Sequence, residues 1–290
     1  MESIKNIQKD AIFKILKDAS EFKKQNLKSK MLEDKIFGLL FFEPSTRTCL
    51  SFESAIHRVG GKIIKYNSIY SSERKGESLE DTIRTIDSYV DVFIIRHPEK
   101  NIISKLKSIT NKPIINAGDG DGEHPTQSLL DLFTILEYYP NFPNIVAFTG
   151  DIKYSRTIHS LIYLLVMIKP NIKIYFINDR KLGLTVELIE YLKNTSYFLY
   201  DNLELVIDKI DVLYVTRLQK ERFNGENVSN IVINKHLINK SKDNLIIMHP
   251  LPRNEELSTD LDDNPKSKYF EQVTNGVFVR MSILSNLFTV

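Results

Sequence analysis

The chain reads as an α/β protein of two doubly wound domains, each a parallel sheet flanked by helices, joined by interdomain helices. Three observations carry that reading. Short apolar runs of strand length alternate with segments whose apolar residues recur at helical spacing, the pattern of parallel sheets covered by helices. The series pauses at Pro140 and Pro143 and then restarts in the same style. Unusual polar residues fall just after strands, where open parallel sheets bind their ligands. A chain of 290 residues has room for two such domains. They are expected at 1–139 and 140–270, with a closing helix from about Glu271 (271–290) packing back on the first.

The elements follow in order. Ile7, Ile12, Ile15, Leu16 and Ala19 are spaced as on a helix within residues 5–25. Residues 36–42 form an apolar run of strand length, which Pro44 breaks. Leu50, Phe52, Ala55, Ile56 and Val59 then continue at helical spacing. A second strand is expected at 62–66 and a polar loop at 71–76. Helix returns with Leu79, Ile83 and Ile86. A third strand at 91–95 leads to Arg96-His97-Pro98, with Pro98 placed to open the next helix at its first position. A fourth strand at 113–116 exits through a Gly- and Asp-rich stretch into His124-Pro125-Thr126-Gln127 and a helix to about Tyr139. The second series predicts strands at 145–148, 173–178, 212–216 and 245–248. Its helices are expected at 157–168 and 184–194, with polar loops at 150–155 and 217–230.

The junction at Ser45, Thr46, Arg47 and Thr48 stands out. A helix start has unpaired N–H groups and a partial positive charge, so hydroxyls and a guanidinium gathered there make an anion site suited to phosphate. Ser45 alone would be explained as a helix cap. A cap does not explain Arg47, whose planar fork suits a pair of phosphate oxygens. Ser71 with Lys75, Arg96, His124 with Gln127, Arg156, Arg217 with Gln219, and His249 to Arg253 also follow strands. Singly, each could be a solvated charge or ordinary helix surface; their common placement makes them a candidate site.

Composition excludes several classes. A formal net charge of +2 with scattered lysines disfavours nucleic-acid binding. The single cysteine, Cys49, rules out an internal disulfide framework and a Cys-based metal site within one chain, which fits a reducing compartment and a cytoplasmic location. No stretch approaches the ~18 apolar residues of a membrane span, and the charged N-terminal residues lack a signal-peptide core. There is no Gly-Lys-Ser/Thr motif, and Gly118, Gly120 and Gly122 lack dinucleotide-turn spacing. None of the six histidines pairs at metal-ligand spacing; His57, His159 and His236 read as helix-surface or packing residues. No metal and no organic cofactor is expected.

Five blocks carry a family resemblance: Ser45-Thr46-Arg47-Thr48, Arg96-His97-Pro98, His124-Pro125-Thr126-Gln127, residues 216–222 from Thr216-Arg217-Leu218-Gln219, and His249-Pro250-Leu251-Pro252-Arg253. In this order, over nearly the whole chain, they resemble the carbamoyltransferases, and among them the aspartate carbamoyltransferase catalytic chains. The resemblance implies that Ser45, Thr46, Arg47, Thr48 and Arg96 hold carbamoyl phosphate, with Ser71 and Lys75 supplied by a neighbouring subunit of a homotrimer. It implies that Thr48, Arg96 and His124 polarise the carbonyl oxygen, and that Gln127 and the backbone carbonyls of Pro250 and Leu251 hold the carbamoyl amino group. Arg156, Arg217 and Gln219 are implied to take the carboxylates of L-aspartate, with Lys75 and Leu251 beside it. It further implies a cis peptide between Leu251 and Pro252, and it admits separate regulatory chains alongside the trimer.

Two rival activities are distinguished by the same blocks. Ornithine carbamoyltransferases usually carry a cysteine where this chain has Pro250, and a Ser-Met-Gly element that is absent here. A non-catalytic phosphate-metabolite-binding relative would not need both substrate halves, and both are present. The residue after the phosphate signature is Cys49, where many relatives have a basic side chain; it is expected to be a small buried residue.

Overall fold

Runs of Ile, Leu, Val and Phe take up the strand positions that the alternation predicts. The computed structural model describes residues 1–25, 29–67, 75–178, 183–219 and 231–288. The elements begin with α1 (Lys9–Gln25), β1 (Ile36–Phe41), α2 (Thr46–Arg58), β2 (Lys62–Asn67) and α3 (Leu79–Asp87). They continue with β3 (Val92–His97), α4 (Ile102–Leu106), β4 (Ile114–Asp119) and α5 (Pro125–Tyr138). The second series is β5 (Ile145–Thr149), α6 (Arg156–Ile168), β6 (Lys173–Ile177), α7 (Val186–Tyr191) and β7 (Tyr197–Tyr200). It ends with β8 (Val212–Val215), α8 (Lys235–Ile238), β9 (Ile246–Met248) and α9 (Tyr269–Asn286). The chain separates into two compact units, one of Met1–Leu130 with Asn275–Val290 and the other of Asp131–Thr274. The divisions fall inside α5 and α9, so each of these helices contributes to both units.

In the first unit the parallel sheet has the order β2-β1-β3-β4. The chain starts at β1, steps outward to β2, and then crosses to the other side of β1. Strand order therefore reverses between β1 and β3, which is where an open α/β sheet forms its binding crevice. Phe37, Leu39, Leu40, Phe93, Ile94 and Ile95 are all buried, as strands covered on both faces require. One core gathers Leu40, Phe93 and Ile95 with Ile83 of α3 and Ile103 of α4.

In the second unit the parallel sheet has the order β7-β6-β5-β8-β9. Here the reversal lies between β5 and β8. Its core joins Ala147, Leu213 and Val215 to Ile233, Leu257 and Tyr269.

Several boundaries differ from the sequence expectation for physical reasons. Strands β3 and β4 run past their apolar residues to His97 and Asp119, which pair with each other across a register shift. Pattern reading stops a strand where its hydrophobic run stops, whereas these strands end on polar residues. Pro98 does not open a helix: residues 98–101 form a bend and turn, Asn101 adopts φ 61°, and α4 begins at Ile102. Helix α7 is shorter than 184–194: the Thr185 hydroxyl caps its start by accepting the Leu188 N–H, and the chain leaves the helix in a turn at 192–194. Strand β7 was not predicted; it is a four-residue edge strand with Phe198 and Leu199 exposed, so it lacks alternating burial. The Ile4–Asn6 stretch is a separate 3-10 turn before α1. The Leu251–Pro252 peptide is cis, as the resemblance implies. Among the described residues no helix is long and apolar enough to cross a membrane.

Candidate active site

The first unit places its polar blocks around the reversal between β1 and β3. Leaving β1, the chain reaches Ser45, which stands at the cap position of α2 with φ −157° and makes no side-chain capping bond to the helix. The capping explanation of Ser45 therefore does not account for its hydroxyl. Thr46 and Arg47 are exposed on the first turn of α2, and Thr48 is buried. An α-helix leaves its first N–H groups without partners inside the helix, so this turn offers backbone donors beside the hydroxyls. The turn is propped from within by Phe52, which is fully buried with the Arg280 guanidinium 4.9 Å from its ring centre.

Arg96 approaches the same end of the sheet from β3, where it is in register with Phe41 of β1. Its guanidinium pairs with Glu43 at 2.7 Å. Glu43 was not singled out in the sequence; its only signal is a carboxylate two residues before the Ser45 turn. His124 lies after β4, is buried, and brings Nε2 within 3.4 Å of Thr48 Oγ1. Its carbonyl accepts the N–H groups of Gln127 and Ser128, which starts α5 with Pro125 at the first helical position. Gln127 sits on that first turn and is nearly buried. Ser45, Thr46, Arg47 and Thr48 thus follow β1, Arg96 lies near the end of β3, and His124 and Gln127 follow β4, three neighbouring strands of one sheet. Lys75 is exposed and precedes Gly76, whose φ is 91°; Ser71 lies outside the described residues.

Cys49 departs from its expected environment. It is half-buried, and its thiol donates to Glu53 at 3.3 Å while Glu53 pairs with Lys65 of β2 at 2.7 Å. A helix start ordinarily lowers a thiol pKa. Here burial, followed by the Glu53 carboxylate, pushes the Cys49 thiol up to about 11.

In the second unit the candidate residues flank the reversal between β5 and β8. Gly150 follows β5 with φ 98°, and a Cβ there would lie 1.9 Å from the Thr216 carbonyl oxygen, so only glycine lets the two loops meet. Asp151 follows, fully buried; it accepts the Tyr154 N–H at 2.9 Å and the Gln219 amide N–H at 3.0 Å. Gln219 is thereby tied across the crevice, by a carboxylate the sequence reading missed. Arg217 follows β8, with Nη1 3.4 Å from the Leu218 carbonyl. Residues 220–222 of that block lie outside the described residues. Arg156 is the first residue of α6, partly exposed, after Ser155, which makes no capping bond to the helix.

Pro250 and Leu251 lie beyond β9 on a loop fastened at both ends. Leu251 has φ 54°, a left-handed conformation that costs about 1–3 kcal/mol for a non-glycine residue. Its N–H donates to His249 Nδ1 at 2.8 Å. His249 Nε2 lies 3.0 Å from Glu256 Oε1, and both side chains are buried. Burial raises the Glu256 carboxyl, but hydrogen bonds from His249 and the Asn254 N–H outweigh it and hold the group below its ordinary range. On the far side Arg253 forms a two-pronged ion pair with Asp262, Nη2 to Oδ2 at 2.7 Å, and the Tyr269 hydroxyl donates to Asp262 at 2.5 Å. Arg253 and then Tyr269 lower the Asp262 carboxyl to about 2. Among the described residues no group of three His, Cys, Asp or Glu side chains could hold a metal ion.

Two units, each a parallel sheet flanked by helices, define an α/β fold of the doubly wound class, one with a hydroxyl- and guanidinium-bearing helix start and the other with arginines beside its strand-order reversal. Residues 1–137 match the aspartate/ornithine carbamoyltransferase, carbamoyl-P binding domain family, and residues 144–287 match its Asp/Orn binding domain counterpart. The chain belongs to the aspartate/ornithine carbamoyltransferase family. It is 45% identical to the aspartate carbamoyltransferase catalytic subunit of Methanocaldococcus jannaschii, covering 98% of this chain and 96% of that protein. It is 40% identical to the catalytic subunit of Vibrio campbellii, covering 98% and 94%. The crystal structure of Trypanosoma cruzi aspartate transcarbamoylase with carbamoyl phosphate and aspartate matches with a TM-score of 0.89 and 37% identity, covering 98% of this chain and 95% of that one. The same enzyme with carbamoyl aspartate and phosphate matches with a TM-score of 0.91 and 38% identity, covering 98% and 94%.

Proposed function

We propose that this chain is an aspartate carbamoyltransferase, transferring the carbamoyl group of carbamoyl phosphate to the amine of L-aspartate to give N-carbamoyl-L-aspartate and phosphate, an early step of pyrimidine biosynthesis. The observation that carries the reading is the meeting of Thr48 and His124 at 3.4 Å beside a helix start rich in phosphate-binding groups. Ser45, Thr46, Arg47 and Thr48 bind the phosphate, where fixed donors stabilise it more as negative charge builds on it during departure. Thr48, Arg96 and His124 donate to the carbonyl oxygen, which becomes an oxyanion when the amine nitrogen attacks the carbon. One such donor is worth roughly 3 kcal/mol in the transition state. The carbon–oxygen bond to phosphate then breaks, phosphate leaves with the bonding pair, and the nitrogen gives up a proton.

Gln127 and the carbonyls of Pro250 and Leu251 accept from the carbamoyl amino group. Arg156, Arg217 and Gln219 take the two carboxylates of aspartate, a dicarboxylate that calls for such cationic forks. The first unit is accordingly assigned to carbamoyl phosphate and the second to aspartate. Ser71 and Lys75 are assigned to the site of a neighbouring subunit in a homotrimer, and the single cysteine supports a cytoplasmic setting. Separate regulatory chains are compatible with this assembly. Turnover of carbamoyl phosphate with L-aspartate, compared with L-ornithine, tests the reading.

A further inference from the structure

We propose that His249, fixed by Glu256, is a positioning residue that holds the Pro250 and Leu251 carbonyls in place from behind. The inference deepens the carbamoyl-transfer reading and rests on it. Leu251 stands at φ 54°. A side chain as bulky as leucine keeps such an angle only where its surroundings over-determine it. The fastening is the residue's own N–H, which donates to His249 Nδ1 at 2.8 Å.

An Nδ1 that accepts a hydrogen bond carries no proton, so the proton of the neutral ring lies on Nε2 and points at Glu256 Oε1, 3.0 Å away. The same carboxylate oxygen accepts the Asn254 N–H at 2.9 Å, closing the loop on its other side. The histidine backbone is held as well. Its N–H donates to Gln272 Oε1 at 3.0 Å, Gln272 Nε2 donates to Asp131 Oδ1 at 2.6 Å, and Asp131 Oδ2 accepts the Tyr214 hydroxyl at 2.8 Å.

His249, Glu256, Gln272, Asp131 and Tyr214 are each at most 1% exposed, so water cannot stand in for a partner that is removed. The chain links β8, α5 and α9 to the loop after β9. His249 touches the Leu251 peptide and not the substrate in this assignment, so its effect on catalysis passes through the orientation of those carbonyls.

His249→Asn and His249→Ala separate positioning from packing. Asparagine places an acceptor oxygen two residues before the Leu251 N–H, in Asx-turn fashion, while giving up the contact with Glu256. Alanine gives up both. The measurements are KM for carbamoyl phosphate and kcat with L-aspartate, beside the thermal midpoint of each variant. We expect His249→Ala to raise KM for carbamoyl phosphate about tenfold, since the partly buried Leu251 N–H loses the acceptor that fixes its peptide. His249→Asn should recover most of that loss although its melting temperature is no higher. Equal KM values in the two variants, or KM values that merely follow the melting temperatures, would overturn the positioning role. Should His249→Ala fail to fold, Glu256→Ala replaces it. There the ring loses the acceptor that orients it, KM rises severalfold, and an unchanged KM in the folded variant overturns the proposal. A wild-type protein that turns over no aspartate would overturn the parent reading and this inference together, whereas the variant pattern in an active wild type judges this inference alone.

Discussion

Thr48 Oγ1 and His124 Nε2 lie 3.4 Å apart although 76 residues separate them in the chain. Parallel strands bring this about, because β1 and β4 present their carboxyl ends on the same side of one sheet and each is followed there by a helix start. Substituting alanine for either Thr48 or His124 is expected to lower kcat about 10²- to 10³-fold, because in the proposed mechanism each donates to an oxyanion that develops only as the amine attacks. Arg47→Ala should weaken carbamoyl phosphate binding as well as turnover while leaving the circular dichroism spectrum unchanged, since the side chain is exposed. Steady-state kinetics of the three folded variants check this, and full activity in any one removes that residue from the site.

Gly150 leaves no room for a side chain. Its φ of 98°, and the 1.9 Å that would separate an added methyl carbon from the Thr216 carbonyl oxygen, make Gly150→Ala unfavourable on two counts. The expected loss is about 3 kcal/mol by denaturant unfolding. KM for aspartate should rise with it, because Arg217 and Gln219 hang from the displaced Thr216. Wild-type stability in Gly150→Ala would contradict the geometry.

What could be read from the sequence follows from how local each feature is. The run from Ser45 to Thr48 was legible because it interrupts an apolar strand and opens a helix within a few residues. Glu43, Asp151, Glu256 and Asp262 were not, since an isolated carboxylate reads as a solvated charge until its partner is seen. Arg96, which Glu43 pairs with, arrives from another strand. The polar ends of β3 and β4 were clipped for a related reason, because strand patterns are recognised by hydrophobic residues and these strands run on to His97 and Asp119. Cys49 was expected buried, but the Glu53 to Lys65 ion pair that shapes its environment joins α2 to β2.

Asp262 gives the second unit a specific response to acid. Arg253 and Tyr269 lower its carboxyl from the ordinary 3.8 to about 2 in the folded protein. Protons therefore bind the unfolded chain more readily, and the stability this group contributes is complete above about pH 4 and lost as the pH falls toward 2. Asp262→Asn should melt at a lower temperature than the wild type at pH 7, with the gap narrowing between pH 4 and pH 2. A gap that stays constant over that window would show that the ion pair is not what lowers the carboxyl.

Lys75 tests the shared site of the proposed trimer. Lys75→Ala and His124→Ala chains, each inactive alone, would be dissociated, mixed in equal amounts and reassembled. A site is complete when one chain supplies His124 and its neighbour supplies Lys75, so about a quarter of the sites should work in a head-to-tail ring. A mixture no more active than its parents, with mixed trimers present, would place Lys75 in its own chain's site.

The choice of aspartate as carbamoyl acceptor is tested by supplying carbamoyl phosphate with L-aspartate or with L-ornithine and following phosphate release and the carbamoylated product. With Arg156, Arg217 and Gln219 beside the strand-order reversal of the second unit, steady formation of N-carbamoyl-L-aspartate is expected and essentially none of the ornithine product. Faster turnover with ornithine, or no phosphate release with either amino acid, would contradict it.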